Sequence, residues 1–163
     1  YLEDYAYWNG QSVYWPTKVP VKDFLANKYN CVENYSWCYG MTSILRVYEL
    51  AKSAIHSHEK TGKILMSYND LFDKSGEIKF KESIVCHGHI GFLCTLLSHH
   101  LDYPQPDNEK QILSLFDKAV LENSFIYSRT HSDSFLEGAV GELIALLSIY
   151  KDDISVLEHL MLL

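Results

Sequence analysis

A short pattern recurs three times along the chain and leaves few folds open to it. Cys38-Tyr39-Gly40, Cys86-His87-Gly88 and Leu136-Glu137-Gly138 each end on a glycine, and the glycines stand 48 and then 50 residues apart. Each is followed five positions later by a leucine (Leu45, Leu93, Leu143), and two have a second glycine three positions on, Gly91 and Gly141. A period of about 50 residues lies in the range of helical-pair repeats. The stretches behind the last two glycines, IGFLCTLLSHHL (90–101) and VGELIALLSIY (140–150), are apolar nearly all round. A helix tolerates that only when neighbours surround it. Between them, Asp107 to Leu121 carries Ile112, Leu113, Phe116, Ala119 and Val120 among charged residues, the spacing of an amphipathic surface helix. Inner apolar helices alternating with outer amphipathic ones at a fixed period predict an all-α chain of the α/α toroid class. Each glycine then stands where an inner helix begins.

The breaks fit that layout. DKSGE (73–77) and DYPQPDN (102–108) hold the Gly, Pro, Asn and Asp that punctuate helices. The first 37 residues are less regular. Asn9-Gly10, Pro16, Pro20 and the aromatics of YWNGQSVYW predict an extended or hairpin edge segment rather than a helix. The expected organisation is thus an edge segment over 1–37 and three helical-pair repeats over 38–163. A closed ring of this kind takes about six or seven pairs, because each repeat buries its face only against the next. The expectation is therefore a partial toroid: the C-terminal part of a longer protein, or a piece whose ring another chain completes.

With 163 residues, 47% of them hydrophobic, the chain can build a core without disulfides. Its formal charge of −7 and lack of any basic block remove the electrostatic footprint of nucleic-acid binding. The opening YLEDYAYWNG has no basic n-region or small-residue cleavage site, and no apolar run approaches ~18 residues. Four cysteines (Cys31, Cys38, Cys86, Cys94) in such a chain point to thiol or metal chemistry in a reducing, cytoplasmic setting rather than to a disulfide framework.

The repeat puts Cys38 and Cys86 at equivalent places, two residues before the marker glycine, with His87 one before it. Two soft thiolates and one imidazole select zinc, and three protein ligands leave a fourth position open, as in catalytic sites. Spacing alone leaves the ordinary reading standing, since an unligated cysteine is most often a small buried hydrophobe.

The strings SWCYG (36–40), CHGHIG (86–91) and SFLEGAVGELIAL (134–146), in this order and spacing, resemble the C-terminal half of the LanC family of lanthionine synthetases, from about Trp8 onward. The resemblance implies an α/α toroid with a single zinc held by Cys38, Cys86 and His87, and an active-site tyrosine at Tyr39. Family members close thioether rings by adding peptide Cys thiols to dehydroalanine or dehydrobutyrine. A thiol titrates near ~8.5, and zinc removes its proton. Attack on the alkene leaves an enolate that needs a proton donor. The family's usual donor, a His, and its partner Asp belong to the N-terminal half, outside these 163 residues; His89 stands as a surrogate acid, as a partner to the metal motif or, as is commoner for a polar residue in the first turn of an inner helix, as a merely hydrogen-bonded side chain. Asn34 replaces a common Arg four residues before the first zinc Cys, and Thr42-Ser43 replaces a common Pro-Gly.

The implied partners are a dehydrated precursor peptide, a dehydratase and an exporter at the inner membrane face, and whatever completes the ring. The alternatives are a LanC-like zinc and thiol-binding protein without cyclase activity, and a zinc hydrolase. A glycosidase using Asp133 and Glu137 is the remaining one. Cys94 is expected in the core, Cys31 has no evident partner, and Glu137 suits capping of helix amides. His56, His58, His99 and His100 are expected near helix C-termini, where imidazole suits the dipole.

Overall fold

The computed structural model describes residues 4–10, 12–26, 33–52, 54, 58–126, 133–151 and 153–161. Among these, one two-stranded hairpin accompanies seven helices, in agreement with the all-α class. The chain divides into two compact units, Tyr1–Asp70 and Leu71–Leu163, and the boundary falls inside the third helix.

The first unit opens with strands β1 (Tyr7–Asn9) and β2 (Ser12–Tyr14), paired antiparallel with Tyr7 opposite Tyr14 and Asn9 opposite Ser12. A two-residue connection needs positive φ, and Gly10 supplies it at 62° without a Cβ penalty. β1 is exposed while all three residues of β2 are buried. The expected hairpin is therefore present, but the expectation of no helix before residue 38 needs correction. Helix α1 runs Val21–Leu25. Pro20 precedes it, where a missing N–H costs nothing, and its carbonyl accepts from the N–H groups of Asp23 and Phe24 at 2.9 Å each. None of its residues is buried, so no apolar periodicity announced it.

Helix α2 (Met41–Leu50) and the first part of α3 (His58–Lys74) complete this unit. Val13 N–H donates to Ser67 Oγ at 3.1 Å, tying the hairpin to α3, and Trp15 stacks on Tyr48 at 6.1 Å. The Arg46–Glu49 ion pair (2.6 Å) is buried, and Tyr68 also donates to Glu49, at 3.3 Å. A buried charge pair of this kind holds only with close geometry and added hydrogen bonds, and the Tyr68 hydroxyl supplies one to Glu49.

The second unit is built from α4 (His89–Asp102), α5 (Pro106–Ile126), α6 (Ala139–Tyr150) and α7 (Ser155–Met161). α4 packs on α5 and α6, and α6 packs on α7. α4 is buried along most of its length, as its all-round apolarity demands. α5 exists as expected and runs on to Ile126, but its buried face differs. Ile112, Leu115 and Ala119 are buried, whereas Leu113 and Val120 are exposed and Phe116 is half-buried. Positions i, i+3 and i+7 thus face inward; the expected set omitted Leu115 and spread over two faces. α6 departs further, since only Gly141, Glu142 and Ala145 are buried. Val140, Leu143, Leu147 and Tyr150, spaced three, four and three apart, are exposed, so the described residues do not surround this helix.

Ser83 donates from Oγ to Glu142 at 2.6 Å, joining α6 to the turn before α4. Burial pushes the Glu142 carboxyl above its ordinary range; the Ser83 hydrogen bond opposes this and the nearby Glu82 charge adds to it. A carboxyl raised in the folded state contributes stability that is full below its unfolded value of about 4.3 and lost as pH rises through the folded value. Glu142→Gln keeps the acceptor and removes the charge. It should melt at a higher temperature than wild type at pH 7, with the difference closing at about pH 4 in paired thermal melts.

No helix among the described residues is long and apolar enough to cross a membrane.

Candidate functional site

All three marker glycines are helix N-caps in extended backbone: Gly40 for α2, Gly88 for α4 and Gly138 for α6. Their φ values suit any residue, so glycine is required at Gly40 and Gly88 for space instead. A Cβ on Gly40 would meet Ser36 O, Ser36 N and Asn34 O; one on Gly88 would meet Glu82 O and Ile84 O at 2.5 Å and Ile84 N at 2.6 Å. In both, the chain folds back over its own glycine.

The hydrogen bonds repeat as well. Gly40 N–H donates to Ser36 O at 3.0 Å and Met41 N–H to Asn34 O at 2.7 Å. In the second turn Gly88 N–H donates to Ile84 O at 3.0 Å and His89 N–H to Glu82 O at 3.1 Å, the same separations of four and seven residues. Each turn carries its cysteine on the two residues before the glycine that this pattern holds fast. Asn34, standing where the family commonly has Arg, accepts on Oδ1 from Ser36 N–H (2.9 Å) and Ser36 Oγ, and donates from Nδ2 to Thr17 at 3.1 Å. Its amide braces the first turn.

Within the second unit the second turn is also tied to the third. Cys86 N–H donates to Leu136 O at 2.8 Å. A Cβ on Gly141 would collide with the Phe135 carbonyl and reach Val85 Cγ2 at 3.0 Å, so this second glycine of the motif is what lets α6 start so close.

Cys38 and Cys86 are half-buried, and Tyr39 is 54% exposed. Neither cysteine is in a disulfide. Cys94 has the expected core placement, 1% exposed, and burial pushes its thiol up to about 12. The contrast matters: a thiol sealed like that of Cys94 is inert, whereas the thiols at Cys38 and Cys86 keep the partial access that ligation needs. His87 is exposed, and its Nε2 lies 3.2 Å from Glu82 Oε2. Nε2 thus stands beside a carboxylate oxygen of the same turn. By donor chemistry the set of two thiols and one imidazole fits zinc.

His89, read as a surrogate acid, a partner to the metal motif or a hydrogen-bonded helix residue, is 1% exposed and stacked on Phe80 at 5.8 Å, a core position. Other expectations are corrected. The expected capping by Glu137 is absent: its side chain is exposed, and Gly138 caps α6 with no side-chain hydrogen bond. His58 begins α3 instead of standing near a helix C-terminus, because that helix starts earlier than its apolar residues suggest. His99 and His100 do lie in the last turn of α4. Asp133 is exposed, as is Glu137. Cys31 and His56 lie outside the described residues. The expected reading passed over Glu82, although it stands four residues before Cys86 as Asn34 stands four before Cys38; that shared register was the available signal.

A family model described as lanthionine synthetase C-like protein matches residues 6–162, nearly the entire chain. The chain belongs to the LanC-like family. No curated protein matches it. LanC-like membership makes it broadly a protein of the lanthionine-synthetase type, and Cys38, Cys86 and His87 are by their chemistry residues that could hold a metal ion.

Proposed function

We propose that this LanC-like protein is a zinc-dependent lanthionine cyclase that holds one zinc through Cys38, Cys86 and His87 and closes thioether rings in a dehydrated precursor peptide. The observation that carries the reading is the doubled turn: the same backbone hydrogen bonds and glycine cradle present a half-buried cysteine at Cys38 and at Cys86, with His87 beside the second. When bound, zinc would lower the pKa of a peptide Cys thiol and hold it as thiolate beside a ligand set too electron-rich to quench its nucleophilicity.

The chain's own residues do the rest. The two turns fix their backbones before any ligand arrives, so little reorganisation is needed on binding. Tyr39, exposed and next to Cys38, is the side chain we assign to contact the peptide. The reaction balances without a redox partner. A sulfur–carbon bond forms at the β-carbon, the alkene electron pair moves to the α-carbon, and that carbon takes up one proton as the thiol gives one up.

The exposed α6 stripe of Val140, Leu143, Leu147 and Tyr150 supports a partner surface that completes the ring, from the same polypeptide or another. The dehydrated peptide as substrate, a dehydratase and an exporter as companions, and a cytoplasmic location belong to the same reading.

Ring closure leaves mass unchanged but consumes a thiol. The test therefore incubates the zinc-loaded protein with a dehydrated peptide carrying one Cys, then alkylates and weighs the peptide. Loss of alkylation is the expected result. A peptide that stays fully alkylatable while zinc remains bound would replace this reading with a zinc and thiol-binding protein that does not cyclise.

A further inference from the structure

Glu82 occupies a place that the cyclase chemistry does not call on, yet its carboxylate lies against the candidate ligand His87. Its carboxylate Oε2 lies 3.2 Å from His87 Nε2. Its backbone carbonyl accepts from His89 N–H at 3.1 Å and sits 2.5 Å from where a Cβ on Gly88 would be. The next residue, Ser83, is wholly buried, accepts on its carbonyl from Ile90 N–H at 2.9 Å, and donates from Oγ to Glu142 at 2.6 Å. The backbone that follows the Glu82 side chain is thus pinned to the first turn of α4 and, through Ser83, to α6. The carboxylate itself is only anchored at its base, with the side chain 55% exposed, and the group it meets is Nε2 of His87.

The first turn shows what this position does when no histidine follows the cysteine. Asn34 holds the same register, four residues before Cys38, and its side chain turns back onto its own turn and Thr17. In the second turn a carboxylate replaces that amide and reaches across to the imidazole.

We infer that Glu82 is the positioning residue for His87: by accepting the Nε2 proton it fixes the tautomer that leaves Nδ1 to meet zinc, and it holds the ring in the orientation needed. Histidine ligands commonly donate their other ring N–H to a carboxylate, and losing such a partner typically costs 10- to 100-fold in metal affinity. The inference rests on the zinc reading above only for its functional consequence; the tautomer can be read without metal.

Two measurements test it on the full chain. In competition with a chromogenic chelator, Glu82→Ala should bind zinc about 10- to 100-fold more weakly than wild type. Glu82→Gln retains an acceptor for Nε2–H and loses only an exposed charge, so it should stay within about 5-fold of wild type. Equal affinity of wild type and Glu82→Ala would overturn the inference. So would Glu82→Gln falling as far as Glu82→Ala, because that would mark a direct metal ligand or a charge effect.

The second measurement is the nitrogen-15 shifts of the His87 ring in zinc-free protein. Wild type and Glu82→Gln should show Nε2 protonated and Nδ1 bare, and Glu82→Ala a mixture of tautomers. The same mixture in wild type would overturn the pairing. A wild-type protein that binds no zinc but shows the fixed tautomer would sink the cyclase reading and leave the Glu82–His87 pairing standing.

Discussion

Elemental mass spectrometry on the wild-type protein, purified without chelator, is expected to find about one zinc per chain, and Cys86→Ala to bring that close to none. The size of the effect follows from what is removed. An outer partner of a ligand is worth about 10- to 100-fold in affinity, and a thiolate ligand itself is worth more. The variant is also a fair one structurally. Cys86 supports the fold through its backbone N–H, which donates to Leu136 O at 2.8 Å and which alanine keeps. The side chain is half-buried, so truncation leaves no sealed cavity. Cys94→Ala is the matched control. It removes a fully buried thiol from the core of α4, so it should lose stability by about 1 kcal/mol or somewhat more while keeping its zinc. If wild type folds and carries no zinc, the metal-centre reading fails. If Cys86→Ala and wild type carry equal zinc, the metal lies elsewhere.

Gly88→Ala should be among the most destabilising single-methyl additions available to this chain. The methyl would stand 2.5 Å from the carbonyl oxygens of Glu82 and Ile84 and 2.6 Å from Ile84 N, all backbone atoms, and both carbonyls are held by hydrogen bonds from His89 and Gly88 at the start of α4. Nothing there can swing aside as a flexible side chain would. Overpacking of this sort costs about 3 kcal/mol, which for a chain of this size lowers Tm by roughly 6 to 12 °C. Gly62→Ala makes the comparison sharp. Gly62 lies within α3, a Cβ there meets nothing within 4 Å, and alanine should stabilise by about 0.5 to 1 kcal/mol. Thermal melts of the two variants should therefore move in opposite directions. A Gly88→Ala protein that melts with wild type would mean that the folded-back turn is not what the glycine serves. Because the same turn carries Cys86, His87 and Glu82, the variant should also lose zinc, and Gly62→Ala should not.

Much of the candidate site was legible before any coordinates. The glycine interval placed Cys38 and Cys86 at equivalent positions, and the structure builds both turns with the same hydrogen bonds. The reason is local: each turn is closed by backbone groups within seven residues of its glycine, so a short string of residues carries nearly all the information needed. The starts of α2, α4 and α6 were legible for the same reason, each lying directly behind a marker glycine. The hairpin was legible through Asn9-Gly10, because positive φ at Gly10 is a property of the residue itself.

Other features had no such local signature. α1 is five residues long and buries nothing, so it left no apolar period to read. On α5 the residues Leu113 and Val120 are as apolar as Leu115 and Ala119; only the path of α4 beside it decides which are covered. His89 had several readings from its place in the sequence, and only packing could show its ring stacked on Phe80. Glu137 looked like a cap, yet the backbone of Gly138 begins α6 without any side chain. The approach of Glu82 to His87 depends on the fold of a non-helical turn that brings residues five apart together, which spacing alone does not state.

What the amino-acid sequence determined by itself was therefore the family, the helical class, the recurring turns, and the identity of two thiols and one imidazole. These are properties of residue type and near-neighbour backbone geometry. What only the tertiary structure decided was which faces are covered, which histidine is sealed in the core, and which carboxylate stands beside His87. Those depend on atoms brought together from different turns and helices, and a side chain's chemistry does not say which neighbour will reach it.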